Sequence, residues 1–335
     1  MDESDEYLTH SIFFEGVDLS PDKADELEKK LKVNPEDINS RAMLIGYCFA
    51  GRGIAARQKR GQHVLWVIEN CPEDCIAGMP PFILNPIIDK DTYPIAKTLW
   101  LNHVSAKPEN TKILGNAANF FTIHEREIAI ELLKKAQIIE PDNPTWPDKL
   151  GHVYMLDTLP IHNTTERIRT NAAVALEEFE KAYRLSSQDH DFGQISILEN
   201  LAKSAFSAED TDKAAIYADK LLQKLVKHKD YFNFQEAFHA GNLTLGRVAL
   251  IKDDLPKAKE YLLNSGHIPD SQGFFKFDPG MMLAKELLEL GEKEVVLEYL
   301  ALCKEFWNNG QSQLDKWIKK IRRGRTPRFD VSLMY

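Results

Sequence analysis

The sequence predicts an all-α chain built from repeated antiparallel helix pairs, and three observations carry that expectation. Four similar turns recur in the first half, at Asn34-Pro35-Glu36-Asp37, Cys71-Pro72-Glu73-Asp74, Lys107-Pro108-Glu109-Asn110 and Glu140-Pro141-Asp142-Asn143, with prolines 37, 36 and 33 residues apart. A fixed period of 20 to 50 residues is the mark of a repeat array. A column of small residues then runs through the first helix of each pair: Gly46, Ala117, Gly151, Ala202, Gly246 and Ala284. Helices packed about 8–10 Å apart need a small residue where their backbones cross. Finally, no run alternates Val, Ile and Thr as a strand would, and no proline interrupts Ile161 to Leu255.

Taken in order, Ser20-Pro21-Asp22 reads as an N-cap with proline in the first turn, opening a helix to about Val33. Residues 1–33 form an acidic N-terminal segment with a capping helix. Repeats follow over 34–303. The unit at 76–108 is degenerate: Pro80, Pro81 and Pro86 turn its first helix into a loop or broken helix. Its second helix survives, with Asp91 or Thr92 as N-cap, Pro94 in the first turn, then Ala96 and Trp100. Ile128, Leu132, Leu133 and Ala136 give the next second helix an apolar face. Gly151 and Ala175 are 24 residues apart where other units have 12, which places an insertion near 156–167. Loops of that size in compact arrays are often functional. Over 304–335, Gln311 to Arg323 forms an amphipathic capping helix with Leu314, Trp317, Ile318 and Ile321 on one face. A basic tail follows.

These columns resemble the tetratricopeptide repeat, whose unit is about 34 residues with a small/large pattern of this kind. The matching phrases are Ile123 to Pro141 followed by Trp146, Leu150-Gly151 and Tyr154; Gly246 to Ser265 with Asp253-Asp254 at the turn; and Ala284 to Cys303 with Gly291-Glu292 at the turn. Three further phrases, at His63 to Asn70, Leu114 to Phe121 and Leu283 to Leu288, are similar to a group of bacterial tetratricopeptide proteins of unassigned function. The resemblance implies a right-handed superhelical α-solenoid whose first helices line a concave groove.

The chain carries 42 Lys and Arg against 51 Asp and Glu, a net charge of −9, which argues against a general nucleic-acid coat. No apolar stretch reaches the length of a membrane span. The acidic start is unlike a secretory signal, and four cysteines make no disulfide framework. The expectation is a soluble, cytoplasmic protein without cofactor or metal. Cys71 and Cys75 lack the further ligands zinc requires, and Cys48 and Cys303 read as buried helix residues. Among ten histidines there is no His-Glu-x-x-His, and neither a P-loop, a dinucleotide fingerprint nor a Gly-x-Ser-x-Gly occurs. From Lys316 to Arg328 there are seven basic residues and no acid. This tail is the only candidate for nucleic acid or anionic lipid; it could pair with a neighbour's acidic N-terminal segment, and its simplest reading is a solvated helix end favoured by the helix dipole.

The expected function is a non-catalytic scaffold that binds a protein or peptide partner. Tyr47, His152, Lys203, Arg247 and Lys285 follow the small residues and point into the groove, with Phe121 and Phe206 beside them. Three successive cations there suit an acidic or extended peptide. The alternative is an enzyme or small-ligand site on the concave surface near Asn116, Asn119, His152 and Met155, closed by the insertion. Lys112 and Asn116 have the spacing of the first pair of a carboxylate clamp found in one branch of the family, but Pro147 and Asp148 stand where its next asparagine belongs.

Overall fold

The computed structural model describes residues 11–51, 53–156, 164–186, 191–269 and 277–329, and among them every regular element is helical. The expected insertion falls largely on 157–163, outside the described residues. No described helix is long and apolar enough to cross a membrane. The chain divides into two compact units, Met1–Trp146 and Pro147–Tyr335.

In the first unit, α1 covers 11–17 and α2 Pro21–Val33. Ser20 caps α2, its hydroxyl accepting the Lys23 N–H at 3.4 Å. α1 lies against α3 (Ile38–Ala50) through two glycines: a Cβ on Gly16 would fall 2.1 Å from the Met43 carbonyl oxygen, and one on Gly46 would fall 2.2 Å from that of Phe13. α3 pairs with α4 (Ile54–Asn70), and α6 (Thr111–Phe121) with α7 (Arg126–Ile139). Between them stands α5 (Tyr93–Ala106), where the sequence places a surviving second helix; of the two N-cap candidates Thr92 holds the position, without a side-chain capping bond, and Pro94 lies in the first turn. The missing first helix is replaced by two 3-10 turns, Cys75–Gly78 and Pro80–Phe82, the first packed between α4 and α6. Proline lacks the N–H an α-helix would need there. Trp100, Phe82, Phe120 and Phe121 are fully buried, with Tyr93 stacked on Phe120 at 5.2 Å.

The second unit contains most of α8 (Thr145–Leu156), then α9 (Thr165–Leu185) and three helical hairpins. These are α10 (Asp191–Ser207) with α11 (Thr211–Leu225), α12 (Phe234–Ile251) with α13 (Leu255–Gly266), and α14 (Met282–Glu289) with α15 (Lys293–Phe306). α16 (Gln311–Arg322) packs on α15.

The three hairpins close in one register. The N–H groups of Asp210, Asp254 and Glu292 donate to the carbonyls of Ala205, Ala249 and Leu287 at 2.9, 2.9 and 3.0 Å. Each acceptor stands three residues after Ala202, Gly246 or Ala284. The residue before each donor has positive φ: Glu209 at 64°, Asp253 at 57° and Gly291 at 89°. This is the helix-ending turn that favours glycine. Only the third hairpin has one. Glu209→Gly is therefore expected to stabilise the protein: left-handed backbone costs a side-chain-bearing residue about 1–2 kcal/mol, against about 0.5–1 for glycine's extra entropy. Chemical denaturation reads this directly, and a fall in midpoint would refute the account.

Candidate functional site

The small-residue column does what the sequence requires of it in the second unit. A Cβ on Gly151 would lie 2.6 Å from the Phe179 ring of α9, and one on Gly246 would lie 2.3 Å from Leu283 Cδ2 and 3.5 Å from the Ala258 carbonyl oxygen. Ala202 and Ala284 are buried. With these positions turned inward, their successors His152, Lys203, Arg247 and Lys285 emerge on the first helices α8, α10, α12 and α14.

Contacts join these helices from one to the next. His152 Nε2 lies 3.3 Å from Asn200 Nδ2, linking α8 to α10. The Arg247 guanidinium sits 4.2 Å over the Phe206 ring, linking α12 to α10. On its other side, Arg247 Nε and Nη2 donate to both Glu286 carboxylate oxygens at 2.8–3.1 Å, linking α12 to α14. Phe206 also packs against the core shared by α9–α12, as does Met155 from α8.

The cations on this face are neutralised by acids. Lys203 pairs with Glu199 at 2.6 Å, Arg247 with Glu286 at 2.8 Å, and Lys285 lies 3.9 Å from Glu289. Instead of the bare ladder expected from the sequence, the face alternates in sign. Two pairs have the i,i+4 spacing that a helix brings together. The third joins residues 39 apart, so only helix stacking reveals it. Burial, then the neighbouring Glu199 charge, hold the Glu236 carboxyl above its ordinary range, while Lys203 opposes them. Asp148, 3.7 Å from His152, is likewise raised by desolvation against the pull of His152 and Lys149.

In the first unit the selected side chains hold structure. Tyr47 is half-buried against the cluster of Ala24, Leu31 and Leu44. Phe121 is fully buried, edge-on to Phe120 at 5.1 Å, which removes it from any exposed groove. Asn116 Nδ2 donates to the carbonyls of Pro72 and Asp74 at 3.0 and 2.7 Å, and Asn119 Nδ2 to that of Gly78 at 3.1 Å. These amides tie α6 to the 3-10 turn and the residues just before it. Asn116→Ala should therefore lower stability by about 0.5–1.5 kcal/mol for each of the two bonds lost. A urea midpoint equal to wild type would remove this role.

Among the described residues no cluster of His, Cys, Asp and Glu could hold a metal ion. Cys48 and Cys303 are buried, and Cys303 is pushed up to about 12 by desolvation. Arg41 stacks 3.6 Å above Trp66, donates to the Pro35 carbonyl at 2.9 Å and lies 3.4 Å from His63 Nδ1. Burial holds His63 below its ordinary value, against the pull of Glu28. This is a packed polar bridge joining α2, α3 and α4. No protein-family model matches the chain, and no curated protein matches it.

Proposed function

We propose that the protein is a non-catalytic, tetratricopeptide-like scaffold, a right-handed solenoid that binds an extended protein segment along the face of α8, α10, α12 and α14. The observation that carries this reading is the continuous contact Phe206–Arg247–Glu286, which places side chains of three successive first helices side by side. The three hairpins closing in one register support it further. An array of this kind presents an extended surface made of equivalent positions. Because its cations are paired, the face suits a segment carrying both signs better than a purely acidic one. An acidic peptide would first have to compete with the bidentate Arg247–Glu286 pair.

The test is a charge swap, Arg247→Glu with Glu286→Arg. The internal pair survives with its polarity reversed, so melting should stay near wild type. Capture of partners from an extract of the native organism should fall, since a single interface hot spot costs about 2 kcal/mol or more. Identical partners in identical amounts, quantified by mass spectrometry, would refute the assignment of this face.

A further inference from the structure

Among the described residues, the strongest unanswered charge lies on α16 and the segment that follows it. Gly324, at φ 73°, ends the helix in a turn in which its N–H donates to the Ile321 carbonyl and that of Arg325 to the Lys320 carbonyl, at 2.9 and 3.0 Å. The chain then folds back. The Trp317 indole N–H donates to the Arg328 carbonyl at 3.2 Å, and Phe329 packs edge-on to Trp317 at 4.9 Å. Leu314, Trp317 and Ile321 face the core. Lys316, Lys319, Lys320 and Arg323, at i, i+3, i+4 and i+7, therefore form one solvent-facing stripe, extended by Arg322, Arg325 and Arg328.

All seven cations are exposed, and among the described residues none has an ion pair. Many cations elsewhere meet an acid, as Lys30, Arg60, Lys97, Lys107, Lys213, Lys224 and Lys259 do; what sets this stripe apart is seven cations in thirteen residues with no acid among them. The helix dipole favours cations in the last turn, but it accounts for neither Lys316 nor the returning Arg325 and Arg328. Like charges at i,i+4 repel, so the stripe is disfavoured until an anion covers it.

Three features of the patch choose among anions. Trp307, Trp317 and Phe329 are buried, so the described residues of the patch offer no aromatic platform for nucleic-acid bases. Among the described residues no exposed large apolar side chain accompanies the stripe as an anchor for a lipid layer. With the seven cations set aside, the chain's net charge of −9 becomes −16, which opposes approach to any broad anionic surface. A short acidic protein segment meets only the patch. The chain itself carries one: residues 1–20 contain six acids and neither Lys nor Arg. Its described acids, Glu15 and Asp18, are exposed and also have no ion pair among the described residues.

We infer that the basic stripe of α16 receives the acidic N-terminal segment of a second copy of this chain. Such a contact joins two different surfaces, so it propagates head to tail into rings or filaments. It uses none of the residues of the α8–α14 face and does not depend on the reading given for that face.

Sedimentation velocity on the full chain tests this at about 0.02 M and about 0.5 M salt, where the screening length falls from about 20 Å to about 4 Å. Wild type should rise about twofold or more in weight-average mass with concentration at low salt and return to monomer at high salt. Lys316→Glu/Lys320→Glu/Arg323→Glu should remain monomeric, as should Asp2→Lys/Glu3→Lys/Asp5→Lys/Glu6→Lys. An equimolar mixture of the two should associate again. The Lys316→Gln/Lys320→Gln/Arg323→Gln variant covers the case in which charge reversal perturbs the helix, with circular dichroism confirming its fold. A monomeric wild type at low salt, a salt-sensitive change without concentration dependence, or association unchanged in the glutamine variant would overturn the inference. So would stripe-dependent binding of a labelled 20-base-pair duplex or of phosphatidylserine vesicles with self-association unaffected.

Discussion

Replacing Trp317 by alanine should cost about 3–5 kcal/mol, the range for deleting a buried tryptophan. The residue is 1% exposed, stacked on Trp307 at 5.8 Å and covered by Phe329. It shares one core with Leu300 and Cys303 of α15 and Leu314 and Ile321 of α16. A domain margin of about 5–15 kcal/mol would be cut by about a fifth or more. The damage would also spread, since α16 covers the apolar face of α15. Trp317→Phe separates the contributions. It keeps most of the ring packing and loses the N–H bond to Arg328, a net of about 0.5–1.5 kcal/mol. Guanidinium denaturation followed by circular dichroism measures both variants. A Trp317→Ala midpoint within error of wild type would mean that α16 is an appendage instead of a cap.

Several helices were legible from a local chemical signal at the boundary. Ser20 before Pro21, Asn110 before Thr111, and Asp254 before Leu255-Pro256 each cap a helix by the side chain that signals it. The prolines of 80–86 forecast the loss of a first helix. Signals fail where conformation and residue type disagree. Glu209 takes a left-handed turn usually given to glycine, so the first of three equivalent turns is silent in the sequence. α1 was equally hidden: the reason for Gly16 is a backbone on α3 that only the fold brings near.

The candidate site was legible as a column and not as chemistry. Register alone puts Lys203, Arg247 and Lys285 on successive first helices, because a small residue buried at each crossing fixes the angular position of its successor. What register cannot supply is the partner. Glu286 reaches Arg247 from the next first helix, 39 residues away. The asparagines of α6 show the same limit. A polar residue on a first helix looks like a ligand group until the 3-10 segment, with carbonyls to satisfy, is seen packed against it. Phe121 follows the spacing of a groove residue, yet its ring goes into the core.

The acid limb of the stability curve should carry the signature of His239, which no sequence feature distinguishes. The side chain is buried at 4% exposure between Phe277, Tyr299 and Phe306. Nδ1 lies 2.8 Å from the Ser265 carbonyl oxygen and so carries the proton, while Nε2 accepts the Gly280 N–H at 3.0 Å. Both nitrogens are used by the neutral ring, and a second proton would displace the Gly280 bond. Burial, followed by smaller effects of the Ser265 bond and the Lys203 charge, lowers its pKa from 6.5 to about 4. The unfolded chain therefore binds a proton near pH 6.5 that the folded chain refuses until about 4. Stability is full above 6.5, falls as the pH drops through that window, and loses nothing further from this group below it. The span corresponds to about 3 kcal/mol. Tyr299 and Cys303, the titratable neighbours, are both raised by burial and stay protonated throughout. His239→Gln removes the titration. Its stability at neutral pH should be lower, since glutamine replaces the two bonds imperfectly, but the fall in unfolding free energy between pH 7 and pH 4.5 should be smaller than in wild type. His63 and the surface carboxylates contribute to both proteins and cancel in the difference. Parallel urea titrations at the two pH values give it directly, and equal slopes would show that His239 is not the group that titrates.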